Sequence, residues 1–316
     1  MSTLNLEKYG KLEGVNYLET YPDGSPKACT LDEKNLIKTP VGTLIPSYGP
    51  PRPRKRESVA LEFFQNGNIK SIALNETVEA KTSLGVLSVE RISFYEDGTI
   101  HRFFPLNGQI DGYWSEAEEA ELATPIDFDL AIGTFSVKVI SICFYQSGSL
   151  KSLTLWPGES IELLTPDGLV YIRYGLALYE DGSLKSFEPA RPEPINTPIG
   201  IIIAYDSNAH GVNGDENSVC YDEDGKIKSL LTLNSAISIS ASEEKRVIKP
   251  LMKRGKIDPE RFFPEPMKIE FSGNTVIITQ DSEIIADLTQ TKVKAIIIDD
   301  PATKTCGNCS ECSHCG

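Results

Sequence analysis

Histidine, methionine and tryptophan are scarce in this sequence of 316 residues, with three, three and two copies respectively. Four common functional motifs are missing: Gly-x-x-x-x-Gly-Lys-Ser/Thr for phosphate binding, Gly-x-Ser-x-Gly for nucleophilic serine, His-Glu-x-x-His for zinc proteases and the EF-hand loop for calcium. We therefore expect a protein that is not an enzyme. Carboxylate pairs of the glycosidase kind lie far apart in sequence, so an enzyme stays open as an alternative.

Long apolar runs are absent as well. No run reaches the roughly 20 residues that a membrane helix needs. Residues 1–10 lack the basic stretch and the apolar stretch that make up a signal peptide. These absences predict a cytoplasmic protein with no transmembrane segment.

Basic residues are outnumbered by acidic ones, 31 against 45, which gives a net charge of −14. A negative field of this size repels phosphate backbones, so we expect no nucleic-acid partner. Peripheral contact with a lipid surface, through the basic run from Arg52 to Arg56, is a less favoured alternative. Hydrophobic residues make up 40% of the chain, which is enough to bury a core. The expected partner is another protein.

A short hairpin pattern recurs six times, typified by Phe-Tyr-Glu-Asp-Gly-x-Leu/Ile-Lys-Ser. Each copy has a turn glycine preceded by Asp, Asn or Ser, and Asp-Gly and Asn-Gly favour tight hairpin turns because both residues tolerate positive φ. Internal repetition of this kind predicts an architecture of repeated supersecondary units. The turn glycines are Gly24, Gly67, Gly98, Gly148, Gly182 and Gly225.

Apolar residues occupy both faces of the predicted strands. The positions six and four residues before the turn glycine are mostly Leu, Ile or Phe and share one face. The position three before it is Tyr or Phe in five copies and lies on the opposite face. A sheet with one solvated face would not need apolar mass on both sides, whereas stacked hairpins or packed blades would.

A second turn motif, Thr-x-x-Gly followed by a β-branched run, alternates with the first, and the two together recur about every 32 residues. We therefore predict an all-β fold made of an antiparallel hairpin-repeat array of solenoid type, with a propeller-like arrangement as the alternative. The spacing is interrupted by residues 49–57, 107–127 and 207–217, and residues 115–122 form an acidic helix candidate with Ser115 as N-cap. The four clear copies of the Thr-x-x-Gly motif end in Gly42, Gly85, Gly168 and Gly200, and a weaker copy ends in Gly133.

These hairpins resemble the aromatic-x-x-Gly hairpins of bacterial MORN-type repeat proteins, including a variant associated with antitoxins. The resemblance covers residues 18–233. The segment from Asn107 to Trp114, which contains Gly-x-x-Asp-Gly-x-Trp, is similar to a segment of the same family. The resemblance implies an elongated antiparallel sheet that acts as a scaffold, without catalysis, and in some members binds lipid or a partner.

Three regions follow from the pattern: a β-hairpin repeat domain over residues 1–234, a capping segment over 235–300, and a cysteine-rich tail over 301–316. In the capping segment, residues 242–256 are predicted as a basic helix broken by Pro250, and Asp258-Pro259 as the start of another short helix. Residues 268–279 are predicted as a hairpin and 292–298 as a further strand.

The tail contains the clearest chemical motif, Cys-x₂-Cys-x₂-Cys-x₂-Cys, formed by Cys306, Cys309, Cys312 and Cys315. Four thiolates at constant spacing, separated by small residues, suit one soft cation or one cluster. Zinc in a Cys₄ shell and a [4Fe–4S] cluster both fit, and His314 is a possible substitute for one thiolate. A tail without metal is the remaining alternative.

The function predicted from these features is a non-catalytic cytoplasmic binding scaffold with a C-terminal metal or iron–sulfur tail. One alternative is a redox or metal-delivery enzyme or maturation factor whose tail carries the cluster. Another is a purely structural protein-interaction protein. Two basic features are predicted to be solvated rather than functional: a lysine at the third position after most turn glycines, and the run from Arg52 to Arg56.

Overall fold

The computed structural model describes residues 2–54, 59–210, 214–241, 244–254, 260 and 262–298. Within these residues the chain is mostly β-strand, every strand pairing is antiparallel, and there is one short helix. The predicted all-β class is confirmed. Within the same residues, no helix is long and apolar enough to cross a membrane.

The described residues form 28 strands and helix α1 (Glu116–Leu122). The strands are β1 (Ser2–Leu6), β2 (Gly10–Thr20), β3 (Pro26–Leu31), β4 (Ile37–Thr39), β5 (Gly42–Leu44), β6 (Leu61–Phe63), β7 (Ile69–Thr82), β8 (Gly85–Phe94), β9 (Ile100–Phe104), β10 (Ile126–Leu130), β11 (Gly133–Val137), β12 (Val139–Phe144), β13 (Leu150–Leu155), β14 (Ser160–Thr165), β15 (Gly168–Leu178), β16 (Leu184–Pro189), β17 (Glu193–Thr197), β18 (Gly200–Ala204), β19 (Val219–Tyr221), β20 (Ile227–Thr232), β21 (Ser235–Ala241), β22 (Glu244–Ile248), β23 (Leu251–Arg254), β24 (Phe262–Glu265), β25 (Met267–Ser272), β26 (Thr275–Thr279), β27 (Glu283–Asp287) and β28 (Lys292–Ile297).

The chain divides into two compact units. The first comprises Met1–Glu159 with Leu178–Gly182, and the second comprises Ser160–Ala177 with Ser183–Gly316. In the first unit, strands β1, β2, β3, β6, β7, β8 and β9 pair in that order, and β9 continues to β12 and β13. Consecutive hairpins therefore lie side by side in one antiparallel sheet.

The six predicted glycine turns are all present, with glycine φ between +73° and +89°. In the first, the amide of Gly24 donates to the carbonyl of Tyr21 (2.9 Å) and the amide of Tyr21 donates to that of Ser25 (2.8 Å). This pattern is a type I turn followed by a left-handed glycine, which adds one residue to one strand. Only glycine can occupy that position without steric cost.

The predicted reason for the residue before the glycine is wrong. Among the described residues, the only non-glycine residue with positive φ is Tyr174, so the aspartates of these turns have ordinary backbone angles. The Asp23 carboxylate instead accepts a hydrogen bond from the amide of Ser25 (2.9 Å), and Asp97 does the same for Thr99 (2.9 Å). The aspartate side chain therefore accepts a hydrogen bond from a main-chain amide of its own turn.

Three tyrosines hydrogen-bond to the main chain of a neighbouring hairpin, and we call them the tyrosine ladder. All six residues of these bonds belong to the first unit. Each of these tyrosines stands three residues before the turn glycine of its own hairpin. Its hydroxyl donates to a main-chain carbonyl of the next hairpin, that of the residue four positions before the next turn glycine. The three bonds are Tyr21 to Phe63 (2.9 Å), Tyr95 to Phe144 (2.8 Å) and Tyr145 to Leu178 (2.9 Å).

The turns are also joined by their polar side chains. Gln65 of the second hairpin donates to the second carboxylate oxygen of Asp23 in the first (2.7 Å), and Gln146 donates in the same way to Asp97 (3.2 Å). The hydrogen bonds from Gln65 and Ser25 lower the pKa of Asp23 to about 2. Asp23 and Asp97 thus each stabilise their own turn and the adjacent one.

The Thr-x-x-Gly motifs form a second kind of hairpin, in which the threonine hydroxyl donates to the carbonyl of the glycine. The distances are 2.8 Å at Thr39, 3.0 Å at Thr82, 2.9 Å at Thr165 and 2.5 Å at Thr197. The glycines have φ between +105° and +121°, which again excludes a side chain. This hydrogen bond explains why threonine occupies the first position of the motif.

The core lies on both faces of the hairpin strands, as the apolar pattern predicts. Four consecutive residues at the ends of β12, β13 and β16 are buried, so neighbours that point to opposite faces are both covered. The largest fully buried side chains include Phe63, Phe103, Phe144 and Phe187. One of the two faces also buries serine, such as Ser71, Ser152 and Ser186.

In the second unit, strands β16, β19, β20, β25, β26 and β27 pair in sequence. Strand β21 lies between β22 and β28, while β14 pairs with β15, β17 with β18 and β23 with β24. The predicted hairpin at 268–279 and the strand at 292–298 are confirmed as β25–β26 and β28. The proposed boundaries at residues 234 and 300 stay predictions.

The predicted basic helix at 242–256 is wrong for the described part of that range, which forms β22 and β23. Alternation explains the difference, because Ile248 is buried while Val247 points to solvent, and β22 pairs with β21 along its length. Asp258 and Pro259 lie outside the described residues. The predicted acidic helix is confirmed as α1, with a complete capping box between Ser115 and Glu118.

The tyrosine ladder predicts a measurable contribution to stability. Tyr145→Phe removes one hydroxyl and leaves the carbonyl of Leu178 without that donor, so we expect the free energy of unfolding to fall by about 1 kcal/mol. Urea denaturation of the full chain measures this change. Tyr17→Phe is the matched control, because the Tyr17 side chain is solvent-exposed and its hydroxyl makes no hydrogen bond to the described residues. Equal stability of Tyr145→Phe and the parent chain would contradict the ladder.

Candidate functional site

The predicted metal ligands Cys306, Cys309, Cys312 and Cys315 lie outside the described residues, and so does His314. Within the described part of the chain, no group of three or more His, Cys, Asp and Glu side chains is placed to hold a metal ion. The remaining cysteines, Cys29, Cys143 and Cys220, are free thiols that are buried or half-buried. Two other features of the described residues are candidates for function: a groove in the first unit and a cleft in the second.

The groove in the first unit has a volume of about 760 Å³. Its walls include Tyr17 of β2 and the loop that carries Tyr48, Pro50, Pro51 and Arg52. We call it the proline groove. Tyr17 is 53% exposed, which is unusual for so large an aromatic side chain. Tyrosine and proline offer apolar area with few rotatable bonds, and arginine adds a charged end.

Main-chain hydrogen bonds hold the loop of the proline groove in place. The amide of Ser47 donates to the carbonyl of Ala73 (2.7 Å), and the amide of Gly49 donates to that of Leu31 (2.9 Å). The amide of Asn75 returns a bond to Ile45 (3.0 Å). The loop is thereby attached to two strands of the sheet, β3 and β7, so the groove is already formed without a ligand.

An ion-pair cluster anchors the far end of this loop. Both Nε and Nη2 of Arg54 donate to the carboxylate of Glu119 in α1 (2.6 Å each), and Nη1 donates to Glu90 of β8 (2.9 Å). The side chains of Glu119 and Glu90 are only 3% and 7% exposed. The hydrogen bond to Glu119 raises the pKa of Arg54. Burial works to raise the pKa of Glu119, but the bonds from Arg54 and Trp114 outweigh it, and the pKa is lowered.

Every polar atom of Glu119 is used, since Trp114 Nε1 and the amide of Gly108 also donate to it (2.7 Å each). A Cβ at Gly108 would lie 2.1 Å from Glu119 Oε2, so a side chain there would push the carboxylate away from its partners. These contacts account for the glycine and the tryptophan of the 107–114 segment. The prediction that the run from Arg52 to Arg56 is a solvated loop is wrong at Arg54, because its side chain is only 20% exposed and is paired with Glu119 on α1.

The predicted lysine positions differ in their surroundings. Lys27 pairs with the exposed Glu19 on the adjacent strand (2.6 Å), and Lys151 lies 5.9 Å from the ring centroid of Tyr145. His101 contacts Ser93 Oγ through Nδ1 (3.3 Å) and the edge of Tyr95. Pairing with Glu19 neutralises the charge of Lys27.

The cleft in the second unit has a volume of about 370 Å³ and is lined by Glu188 of β16 together with Asp206, His210 and Glu216 from the 205–218 connection. We call it the Glu188 cleft. Glu188 is 4% exposed. Its Oε2 accepts a hydrogen bond from the amide of Ser218 (2.9 Å), while Oε1 is buried and has no partner among the described residues. Burial raises the pKa of Glu188 to about 7.

The repeat pattern contains a signal for Glu188 that sequence reasoning missed. Glu188 stands six residues after its turn glycine, and it is the only carboxylate at this position in the six hairpins. A charged residue at a position that is otherwise apolar or hydroxylic marks an exception that packing does not explain. The other five residues are Thr30, Ala73, Phe104, Thr154 and Leu231.

The wall of the Glu188 cleft contains a second local exception. Tyr174 has φ of +60°, an uncommon conformation for a bulky residue. The guanidinium of Arg173 lies between the rings of Tyr174 and Tyr205, at 4.7 and 5.0 Å from their centroids, and Nη2 donates to the carbonyl of Asp206 (2.7 Å). Arg173 thus fixes the start of the loop that carries Asp206 and His210.

Comparison of the chain with protein-family models, with curated proteins and with solved structures found no match. The functional interpretation therefore rests on the residues and geometry described above.

Glu188 predicts a specific pH dependence of stability. Its pKa rises from 4.5 to about 7 on folding, so the folded state binds more protons between these values and the free energy of unfolding falls as pH rises through this window. Glu188→Gln removes the effect. We expect the variant to gain about 3 kcal/mol over the parent chain between pH 4.5 and pH 8. Urea denaturation of both chains at the two pH values measures the gain, and a constant difference would contradict the buried carboxylate.

Proposed function

We propose that this chain is a non-catalytic cytoplasmic binding scaffold, built as an array of MORN-like β-hairpins, that binds an extended segment of another protein in the proline groove. Its C-terminal Cys₄ tail binds zinc or a [4Fe–4S] cluster. The preformed groove, with exposed Tyr17 beside a proline-rich loop, is the observation that carries the proposal.

The array interpretation is supported by equivalent contacts at equivalent positions. In the first unit the amide of Ser47 donates to the carbonyl of Ala73 (2.7 Å). Ser47 stands five residues after Gly42 of a Thr-x-x-Gly motif, and Ala73 stands six residues after the turn glycine Gly67. In the second unit the amide of Tyr205 donates to the carbonyl of Leu231 at the same two offsets (3.0 Å). The same pair of turn motifs therefore builds the same local contact twice. The tyrosine ladder adds a further recurring contact between neighbouring hairpins.

The composition of the proline groove suits a peptide segment. Tyrosine and arginine are enriched among the residues that dominate protein interfaces, because they bury a large area and still offer a polar group. The hydrogen bonds of the 45–52 loop and the Arg54 ion pairs fix the walls before binding, which lowers the ordering cost of association. Asp32 and Arg52 in the walls provide charges of both signs for orientation.

The tail belongs to the proposal on chemical grounds. Thiolates separated by two residues, with glycine and serine between them, can surround one metal centre. A scaffold that carries such a tail would bring a metal or an electron carrier to the partner held by the groove. A redox or metal-delivery enzyme is the alternative, and the identity of the bound metal discriminates between the two.

Peptide selection tests the groove. A displayed library of random 12-residue peptides is selected on the full chain and counter-selected on Tyr17→Ala. We expect the enriched peptides to bind the parent chain and to lose at least about tenfold in affinity, roughly 1.4 kcal/mol, with Tyr17→Ala. Fluorescence anisotropy measures the affinities. Tyr113→Ala is the control, because it removes another exposed tyrosine of the same unit that does not line the groove. Peptides that bind Tyr17→Ala as well as the parent chain would contradict the assignment.

Metal analysis tests the tail separately. Protein purified without oxygen should carry iron and sulfide, or zinc, at close to one cluster or ion per chain, and a chain ending at Thr305 should carry none. A brown protein with an absorption band at about 400 nm would favour the redox alternative. A colourless protein that contains zinc would favour a structural tail. Absence of both metals after such a preparation, or equal metal in both chains, would remove the tail from the proposal.

A further inference from the structure

We propose that the Glu188 cleft binds a small organic cation that carries N–H donors, an amine or a guanidine, with one N–H donated to Oε1 of Glu188. This inference is independent of the proline groove, which lies in the first unit, and of the cysteine tail.

Glu188 offers a buried hydrogen-bond acceptor to the cleft. Glu188 is more than nine-tenths buried and lines the cleft, and only one of its two oxygens is bonded, by the amide of Ser218. Leaving a buried acceptor unpaired is costly, and far more so when it is charged. A ligand that donates a hydrogen bond removes this cost, so the site favours a donor. Glu119 in the first unit is as deeply buried, but its partners satisfy both of its oxygens.

The charged side chains of the cleft are mostly acidic. Three carboxylates line the cleft, those of Glu188, Asp206 and Glu216, against one histidine, His210. Arg173 is the one arginine close to the cleft among the described residues: its guanidinium lies 4.7 and 5.0 Å from the ring centroids of Tyr174 and Tyr205, and its Nη2 donates to the carbonyl of Asp206. Its buried Nε has no partner among the described residues, and its charge offsets one of the three carboxylates. The walls therefore attract positive charge. The apolar contribution comes from Tyr174, Ala209 and Leu231, which suit the carbon skeleton of an organic ligand.

Size and coordination distinguish an organic cation from a water molecule or a metal ion. The volume of about 370 Å³ is an order of magnitude above the roughly 30 Å³ that one water occupies. It falls within the usual range of small-molecule pockets. Within the described residues, no group of three side chains is arranged to ligate a metal, so the carboxylates of the cleft do not converge as a metal shell would.

The ligand and the proton compete for Glu188. With the pKa of this carboxyl raised by burial, a cation that binds the ionised form displaces a proton when the free carboxyl is protonated. We expect the affinity to fall by about tenfold from pH 8 to pH 6. The other charged or titratable groups around the cleft are Arg173, Asp206, His210 and Glu216. His210→Asn should retain the pH dependence, whereas Glu188→Gln should abolish it.

Calorimetric titration of the full chain with agmatine and putrescine tests the proposal, with tetramethylammonium and Ca²⁺ as competing probes. Tetramethylammonium has the charge without an N–H donor, and Ca²⁺ tests a metal site. We expect agmatine or putrescine to bind, with proton release at pH 7, and Glu188→Gln to weaken binding at least tenfold. Glu162→Gln is the matched control, because it removes an exposed carboxylate of the same unit. Thermal unfolding at pH 8 verifies that both variants fold.

Three results would overturn the proposal. The first is undiminished binding to Glu188→Gln, which would place the ligand elsewhere. The second is that neither amine binds at millimolar concentration, which would mean that the cleft holds only solvent. The third is binding of Ca²⁺ or tetramethylammonium at least as tight as that of the amines. None of these results bears on the proline groove, whose test uses Tyr17.

Discussion

The hydrogen bonds that close each glycine turn are the constraint on which the rest of this structure depends. A left-handed glycine after a type I turn adds one residue to one strand, and this fixes which face every later side chain occupies. The position three residues before the glycine then points toward the next hairpin, where a tyrosine hydroxyl reaches the main chain. An alanine at Gly148, for example, would strain the turn and also displace the tyrosine that depends on it.

Two buried glutamates, Glu119 and Glu188, differ in the number of donors that surround them. Glu119 is buried with hydrogen bonds from Arg54, Trp114 and a main-chain amide, so its ionised form is stabilised. Glu188 is buried to a similar degree with donors from Ser218 alone among the described residues, and burial raises its pKa. The two glutamates show that burial alone does not set protonation, because the number of donors around a carboxylate decides which form is favoured.

The interruptions of the hairpin spacing supply both candidate sites. Two of them meet in the first unit, where Arg54 from one is paired with Glu119 from the other, and this pairing anchors the loop of the proline groove. The third forms much of the wall of the Glu188 cleft. Regular hairpins provide the rigid support, and the added loops provide the concave surfaces, which is how binding residues are commonly placed on β scaffolds.

Local chemistry in the sequence determined the all-β class, the positions of the glycine turns, the Thr-x-x-Gly hairpins and the capped helix after Ser115. All of these depend on residues within a few positions of one another. Tertiary structure decided what residues distant in sequence do together. The partner of Arg54 is 65 residues away, and the segment around Val247 becomes a strand because β21 pairs with it. Only the fold shows that Glu188 is buried with one oxygen unpaired, since burial depends on loops that follow it in the chain.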